Sequence, residues 1–186
     1  MPDIISARAA LHILCREIRM TSEQNIESVV ESALQSLGVE YERFEIDSDF
    51  ADTAAFCERY DFPLEGCGNT IVVASKRGAK KYCACIVKGT GRLDVNKRVK
   101  GLMEVSRVSF ASADETTELT GMLIGGVTPF ALPDDLPIYV DQKILDLDYV
   151  ILGSGSRSSK LRMDPSEMQK VPNLEFVEGL SLPPRE

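Results

Sequence analysis

Apolar positions first recur at helical spacing between residues 26 and 37. Ile26, Val29, Val30, Ala33, Leu34 and Leu37 share one helix face, and Gly38 supplies the stop. Thr21 and Gln24 fit a capping box ahead of that face. The pattern then turns extended over residues 39–46, and a short helix is expected from Asp52 to Arg59. Thr70-Ile-Val-Val-Ala-Ser75 is β-branched and apolar, as a buried strand requires. Lys76-Arg-Gly-Ala-Lys80 turns the chain, with Gly78 free to take positive φ, and residues 82–87 return as an antiparallel partner. Asp94 can cap a helix through Val99 and Leu102, and residues 114–119 predict another. Residues 108–111, 138–140, 149–152 and 159–163 read as short strands, and Asp164-Pro165 as a helix start. Strands and helices alternate around an antiparallel hairpin, so the expected class is α+β: a mixed sheet with helices packed around it. Residues 1–20 read as an N-terminal extension and 21–186 as a single domain.

Composition narrows the chemistry. The chain has 186 residues, 44% hydrophobic and 27% charged, which disfavours disorder and coiled coil. Twenty-one Lys and Arg against 29 Asp and Glu give a net charge of −8. That balance argues against non-specific nucleic-acid binding, and no DNA partner is expected. It leaves room for local patches: Lys76, Arg77, Lys80 and Lys81; Arg92, Lys97, Arg98 and Lys100; Arg157, Lys160 and Arg162. Solvated surfaces explain these clusters as well as a nucleic-acid end does. No apolar run approaches the ~20 residues of a membrane span. The five scattered cysteines suit a reducing, cytoplasmic setting. His12 is the single histidine, which leaves a two-histidine metal helix unsupported and a catalytic triad with one candidate. No P-loop or GxGxxG is present, and neither metal nor cofactor is expected.

Two segments can carry chemistry. Gly121-Met-Leu-Ile-Gly-Gly-Val-Thr-Pro-Phe130 places Gly125 and Gly126 where a ligand can approach the main chain and meet N–H donors. A plain tight turn is the competing reading. Gly153-Ser-Gly-Ser-Arg-Ser-Ser-Lys160 follows an apolar strand and offers small hydroxyls beside Arg157 and Lys160. It reads equally as an anion cradle or a solvated loop. Cys83 and Cys85 share one strand face and read as buried thiols. Cys67, between Gly66 and Gly68, is the best candidate for a reactive one.

Gly66-Cys-Gly-Asn-Thr-Ile-Val-Val73, Thr120-Gly-Met-Leu-Ile-Gly-Gly-Val-Thr-Pro-Phe130, Leu136-Pro-Ile-Tyr-Val-Asp141 and Val150-Ile-Leu-Gly-Ser-Gly-Ser-Arg157 come in a telling order, with Asp52-Thr-Ala-Ala-Phe56 ahead of them. Together they resemble the YbaK/ProX family, the aminoacyl-tRNA deacylase domain also inserted in bacterial prolyl-tRNA synthetases. The resemblance covers residues from about 22 to 170 and implies a partly closed, barrel-like sheet flanked by helices. It implies trans-editing: hydrolysis of the ester joining a wrong amino acid to the terminal ribose of a tRNA. The implied partners are the acceptor end of aminoacyl-tRNA and a synthetase. On that reading Asn69, Gly125, Gly126 and Thr128 carry the chemistry, and Thr70, Pro129, Ser154, Ser156 and Arg157 hold the substrate.

One position departs from the pattern. The family's lysine at the head of its strand is replaced by Asn69, which keeps hydrogen bonding and loses the charge. Asn69 retunes the pocket, or another cation such as Arg157 replaces the lysine, or the protein binds without hydrolysing. A non-catalytic tRNA- or synthetase-binding protein is therefore the alternative to the enzyme, with a small-molecule esterase third.

Overall fold

In the computed structural model, residues 25–184 are described. The extension at residues 1–20, with His12 and Cys15, and the proposed Thr21 cap lie outside them. Helix α1 covers 25–37 and ends at Gly38, whose φ of +64° makes glycine the fitting residue. There follow β1 (Glu42–Glu45), α2 (Thr53–Tyr60), β2 (Gly68–Ser75), β3 (Tyr82–Lys88) and β4 (Arg92–Leu93). A π turn over Val95–Val99, capped by the Asp94 side chain, runs into α3 (Lys100–Leu102). Then come β5 (Val108–Phe110), α4 (Ala113–Thr120), β6 (Ile138–Asp141), β7 (Val150–Gly153), β8 (Ser159–Met163), β9 (Leu174–Val177) and β10 (Ser181–Leu182).

The hairpin forms as its sequence requires, with Val72 opposite Ala84 and Gly78 at φ +76° in the turn. It sits inside a five-stranded mixed sheet of order β5-β2-β3-β6-β9. β5, β2 and β3 pair antiparallel, whereas β3, β6 and β9 run parallel. A second sheet, β1-β8-β7, is antiparallel throughout. A bridge between Cys67 and Ile151 joins the two sheets just before β2 begins. The mixed α+β class with its partly closed sheets is as expected: among the described residues the two sheets meet at this seam without forming a complete barrel.

Strand alternation divides the core. Val72, Ala84, Ile86, Ile138 and Val140 face a cluster shared with α1 and the second sheet, through Val30, Leu34, Leu152 and Leu161. Val73, Cys83, Cys85 and Val87 face a separate cluster on the other side. Burying a residue such as Leu34 or Ile86 is worth ~1.5–3 kcal/mol, so the first cluster holds the sheets together. Cys83 and Cys85 are buried neighbours, as their spacing implied.

Several elements differ from expectation. The helix after residue 112 starts one residue early because Ser112 and Glu115 form a reciprocal capping box. Asp164-Pro165 opens a 3-10 helix, Pro165–Lys170, with the Asp164 side chain accepting from Ser166 N–H. Strands β4 and β10, two residues each, are too short to announce themselves, and β9 exists because it pairs with β6.

Candidate functional site

The seam between the sheets opens into a cavity of about 310 Å³. Three segments wall it: Asp52, Thr53 and Ala54 at the start of α2; Gly68 to Ile71 at the start of β2; and Ile124, Gly125 and Val127 of the glycine bend. Gly153 and Lys160, from the ends of β7 and β8, complete the wall. Each glycine has a steric reason. A Cβ at Gly68 would lie 2.6 Å from the Leu152 side chain, and one at Gly125 would lie 2.6 Å from the Arg157 guanidinium. Gly125 also needs its φ of +91°.

Lys160 is the unexpected member. It is 5% exposed, second in β8, flanked by buried Ser159 and Leu161. Its ammonium donates to Ala51 O at 2.6 Å and to Gly125 O at 2.8 Å, and stands 5.7 Å from the Phe56 ring centroid. An ammonium has three N–H donors, and among the described residues the third has no hydrogen-bond partner. Burial lowers the Lys160 pKa from 10.5 to about 8; the Cys67 thiol opposes that shift and Arg157 adds to it. The sequence placed Lys160 in a basic cluster and at the end of a possible anion cradle, and did not name it among the site residues. The available signal was a lysine inside an apolar strand beside two serines.

The other residues singled out in the sequence divide cleanly. Asn69, Thr70 and Gly125 line the cavity; Gly126, Thr128, Pro129, Ser154, Ser156 and Arg157 do not. The Thr53 hydroxyl donates to Asn69 Oδ1. Thr70 Oγ1 is buried without a partner, and so is Thr128 Oγ1. Gly126 N–H donates to Leu123 O, and the Gly126 carbonyl accepts from Gly155 N–H. Arg157 straps the rim: it donates to Ser48 O at 3.0 and 3.2 Å, to Ile124 O, and to Asp52 Oδ1 at 3.4 Å. Ser154 and Ser156 are buried in a network ending on Glu27, whose carboxylate accepts from the Ser156 and Ser159 hydroxyls.

Cys67 corrects an expectation. It is 1% exposed and lies 3.3 Å from the Cys57 sulfur, and burial pushes its thiol pKa well up, so it is a packed thiol and not a nucleophile. Some members of the basic clusters are engaged within the fold: Lys80 pairs with Glu115, Arg162 with Glu42, and Lys160 is buried. Among the described residues no group of His, Cys, Asp and Glu could hold a metal, and no helix is long and apolar enough to cross a membrane.

The segments that wall this cavity all lie within the stretch that a known family's model matches. The family model for the aminoacyl-tRNA editing domain matches residues 47–171. The chain belongs to that family. Among curated proteins it is 26% identical over 155 residues to the uncharacterized protein YwhH of Bacillus subtilis (strain 168), covering 83% of this chain and 82% of that one. Two solved structures share the fold. The hypothetical protein APE2540 matches with a TM-score of 0.72 and 26% identity over 82% of this chain and 99% of its own. A protein proposed as a trans-editing enzyme for prolyl-tRNA synthetase matches with a TM-score of 0.70 and 23% identity, covering 82% and 94%. This editing-domain chain thus keeps the family's fold and carries a buried lysine on β8, with Asn69 on β2.

Proposed function

We propose that this editing domain is an aminoacyl-tRNA deacylase that acts in trans, and that Lys160 supplies the site's positive charge. One observation carries this reading: a buried ammonium with one uncommitted N–H lines a cavity beside Gly125. Ester hydrolysis builds negative charge on the carbonyl oxygen as water adds. A donor already fixed in the wall stabilises that charge without reorganising. Lys160 is held by two main-chain carbonyls and is suited to that task. Asp52 is the carboxylate on the wall and can accept a proton from the attacking water. The acyl carbon–oxygen bond then breaks, the ribose oxygen leaves with a proton, and the amino acid departs as its carboxylate. No histidine is needed. Arg157 acts as a strap that fixes Ile124, and with it the bend, against α2.

The test is incubation with a panel of mischarged tRNAs. Release of at least one amino acid by the wild type, lost in Lys160→Met with the circular dichroism spectrum intact, supports the reading. Release from none of them overturns it. Asn69 favours a second reading, binding without turnover: its carbonyl is tied to Thr53 and it carries no charge. Retention of charged tRNA with no deacylation would establish that alternative.

A further inference from the structure

A second, apolar groove of about 270 Å³ adjoins the cavity and shares Thr70, Ile71, Ile124 and Val127 with it. We propose that this groove holds the terminal nucleobase of the acylated RNA, stacked on Phe110; the assignment rests on the deacylase reading. Val29, Phe110 and Ile124 are the exposed large hydrophobic residues among those described, and the last two line this groove. Phe110 is 55% exposed and Ile124 50%. Such lips suit a flat ring that enters from solvent, because base stacking on an aromatic face tolerates an open side. An acyl side chain selected by size needs walls all round, and these lips do not provide them. Thr70 lies on the shared wall with its hydroxyl buried and unpartnered. A ribose bridging from the ester to the base crosses that wall and gives the hydroxyl a partner.

Charge continues the path. Phe110 pairs with Val73 at the edge of the sheet. Just past the ends of β2 and β5, roughly 10 Å away, stand the exposed Lys76 and Arg107, joined by Lys76 N–H to Arg107 O, with Lys76 at the register of Thr70 and Val72 on the groove's face. An RNA end with its ester at Lys160 and its base on Phe110 can direct its phosphates toward these two cations. No carboxylate lines the groove.

The experiment uses the full chain and an acylated RNA hairpin with a short single-stranded 3′ end. Phe110→Ala should raise KM about ten-fold and leave kcat unchanged. An abasic terminal nucleotide should cost the wild type a similar factor and cost Phe110→Ala almost nothing further. Independent, additive losses overturn the proposal, as does an unchanged KM in the variant. A changed ranking among amino acids with no abasic effect also overturns it and places the acyl side chain in the groove. Binding is read separately with an uncharged hairpin ending in 2-aminopurine. Its fluorescence should be quenched by the wild type and not by Phe110→Ala. Quenching without deacylation of any mischarged tRNA defeats the deacylase reading and keeps the groove; deacylation without quenching does the reverse.

Discussion

The two glycine-rich loops look alike in sequence and behave differently in the structure. The bend at residues 121–130 turns Gly125 into the cavity and sets Ile124 and Val127 on its wall. The loop at residues 153–160 contributes only its two ends, Gly153 and Lys160. Its serines turn away toward Glu27, which also pairs with Arg43 at 2.9 Å. A carboxylate stands where an anion cradle would need donors, so this loop is a structural latch onto α1. Glycine shows that something comes close to the main chain; it does not say what. At Gly126 and Gly153 the close neighbour is the other loop, whereas at Gly155 it is Val30 of α1; the loops are tied by Gly155 N–H on Gly126 O at 2.8 Å.

Breaking that lock should have the largest effect. A side chain at Gly126 would drive its Cβ into the Ser156 carbonyl. Gly126→Val should therefore destabilise the fold by more than about 3 kcal/mol, read as a collapse of the thermal midpoint. A near-normal midpoint would show that the loops separate at little cost.

What was legible in the sequence follows from the same contrast. The β2–β3 hairpin, the Gly38 stop and the Asp164 cap depend on neighbours within a few residues, and the pattern of those neighbours displayed them. β9 depends on pairing with β6, more than thirty residues earlier, and nothing local marked it. The candidate site divided in the same way. Asn69, Thr70 and Gly125 stood out because strand and bend were readable locally. Lys160 was noticed only as a charge beside small hydroxyls; its burial was not legible, because its partners lie 109 and 35 positions away and a lysine counts as exposed until those carbonyls are seen. Arg157, the cation first considered as a replacement, is occupied by Ser48, Ile124 and Asp52.

Next in size is Lys160→Met. It should lower deacylation roughly 10²–10³-fold, the cost of removing one oxyanion donor. With Lys160 at about 8, the protonated form is the donor, so the wild-type catalysed rate should fall as pH rises past about 8. The variant should show no such fall once the uncatalysed ester hydrolysis is subtracted. Stability has its own sign. The folded pKa lies below the ordinary 10.5, so the folded chain releases this proton first. The lysine's contribution to stability therefore rises between about pH 8 and 10.5. The difference in unfolding free energy between wild type and Lys160→Met should change in that window; a constant difference would place the ammonium in water.

The latch is tested more gently by Glu27→Gln. It removes the charge from an acceptor of two serine hydroxyls and of Arg43. A loss of about 1.5–3 kcal/mol is expected. The loss should be non-additive with Ser156→Ala, because the two share one bond. Additive losses would mean that α1 and the loop are held by other contacts.

The smallest effect, and the sharpest contrast with that latch, is expected at Thr70. Ser154 and Ser156 have partners in the folded chain, so truncating them costs stability, whereas Thr70 Oγ1 is buried with none. Thr70→Val keeps the shape and removes an unpaired hydroxyl. Stability should therefore hold or rise by up to about 1 kcal/mol in thermal unfolding. If the hydroxyl is kept for a substrate oxygen, the same variant should raise KM for acylated RNA a few-fold while its midpoint does not fall. A drop in stability with KM unchanged would give Thr70 a partner inside the fold and make its wall a packing surface.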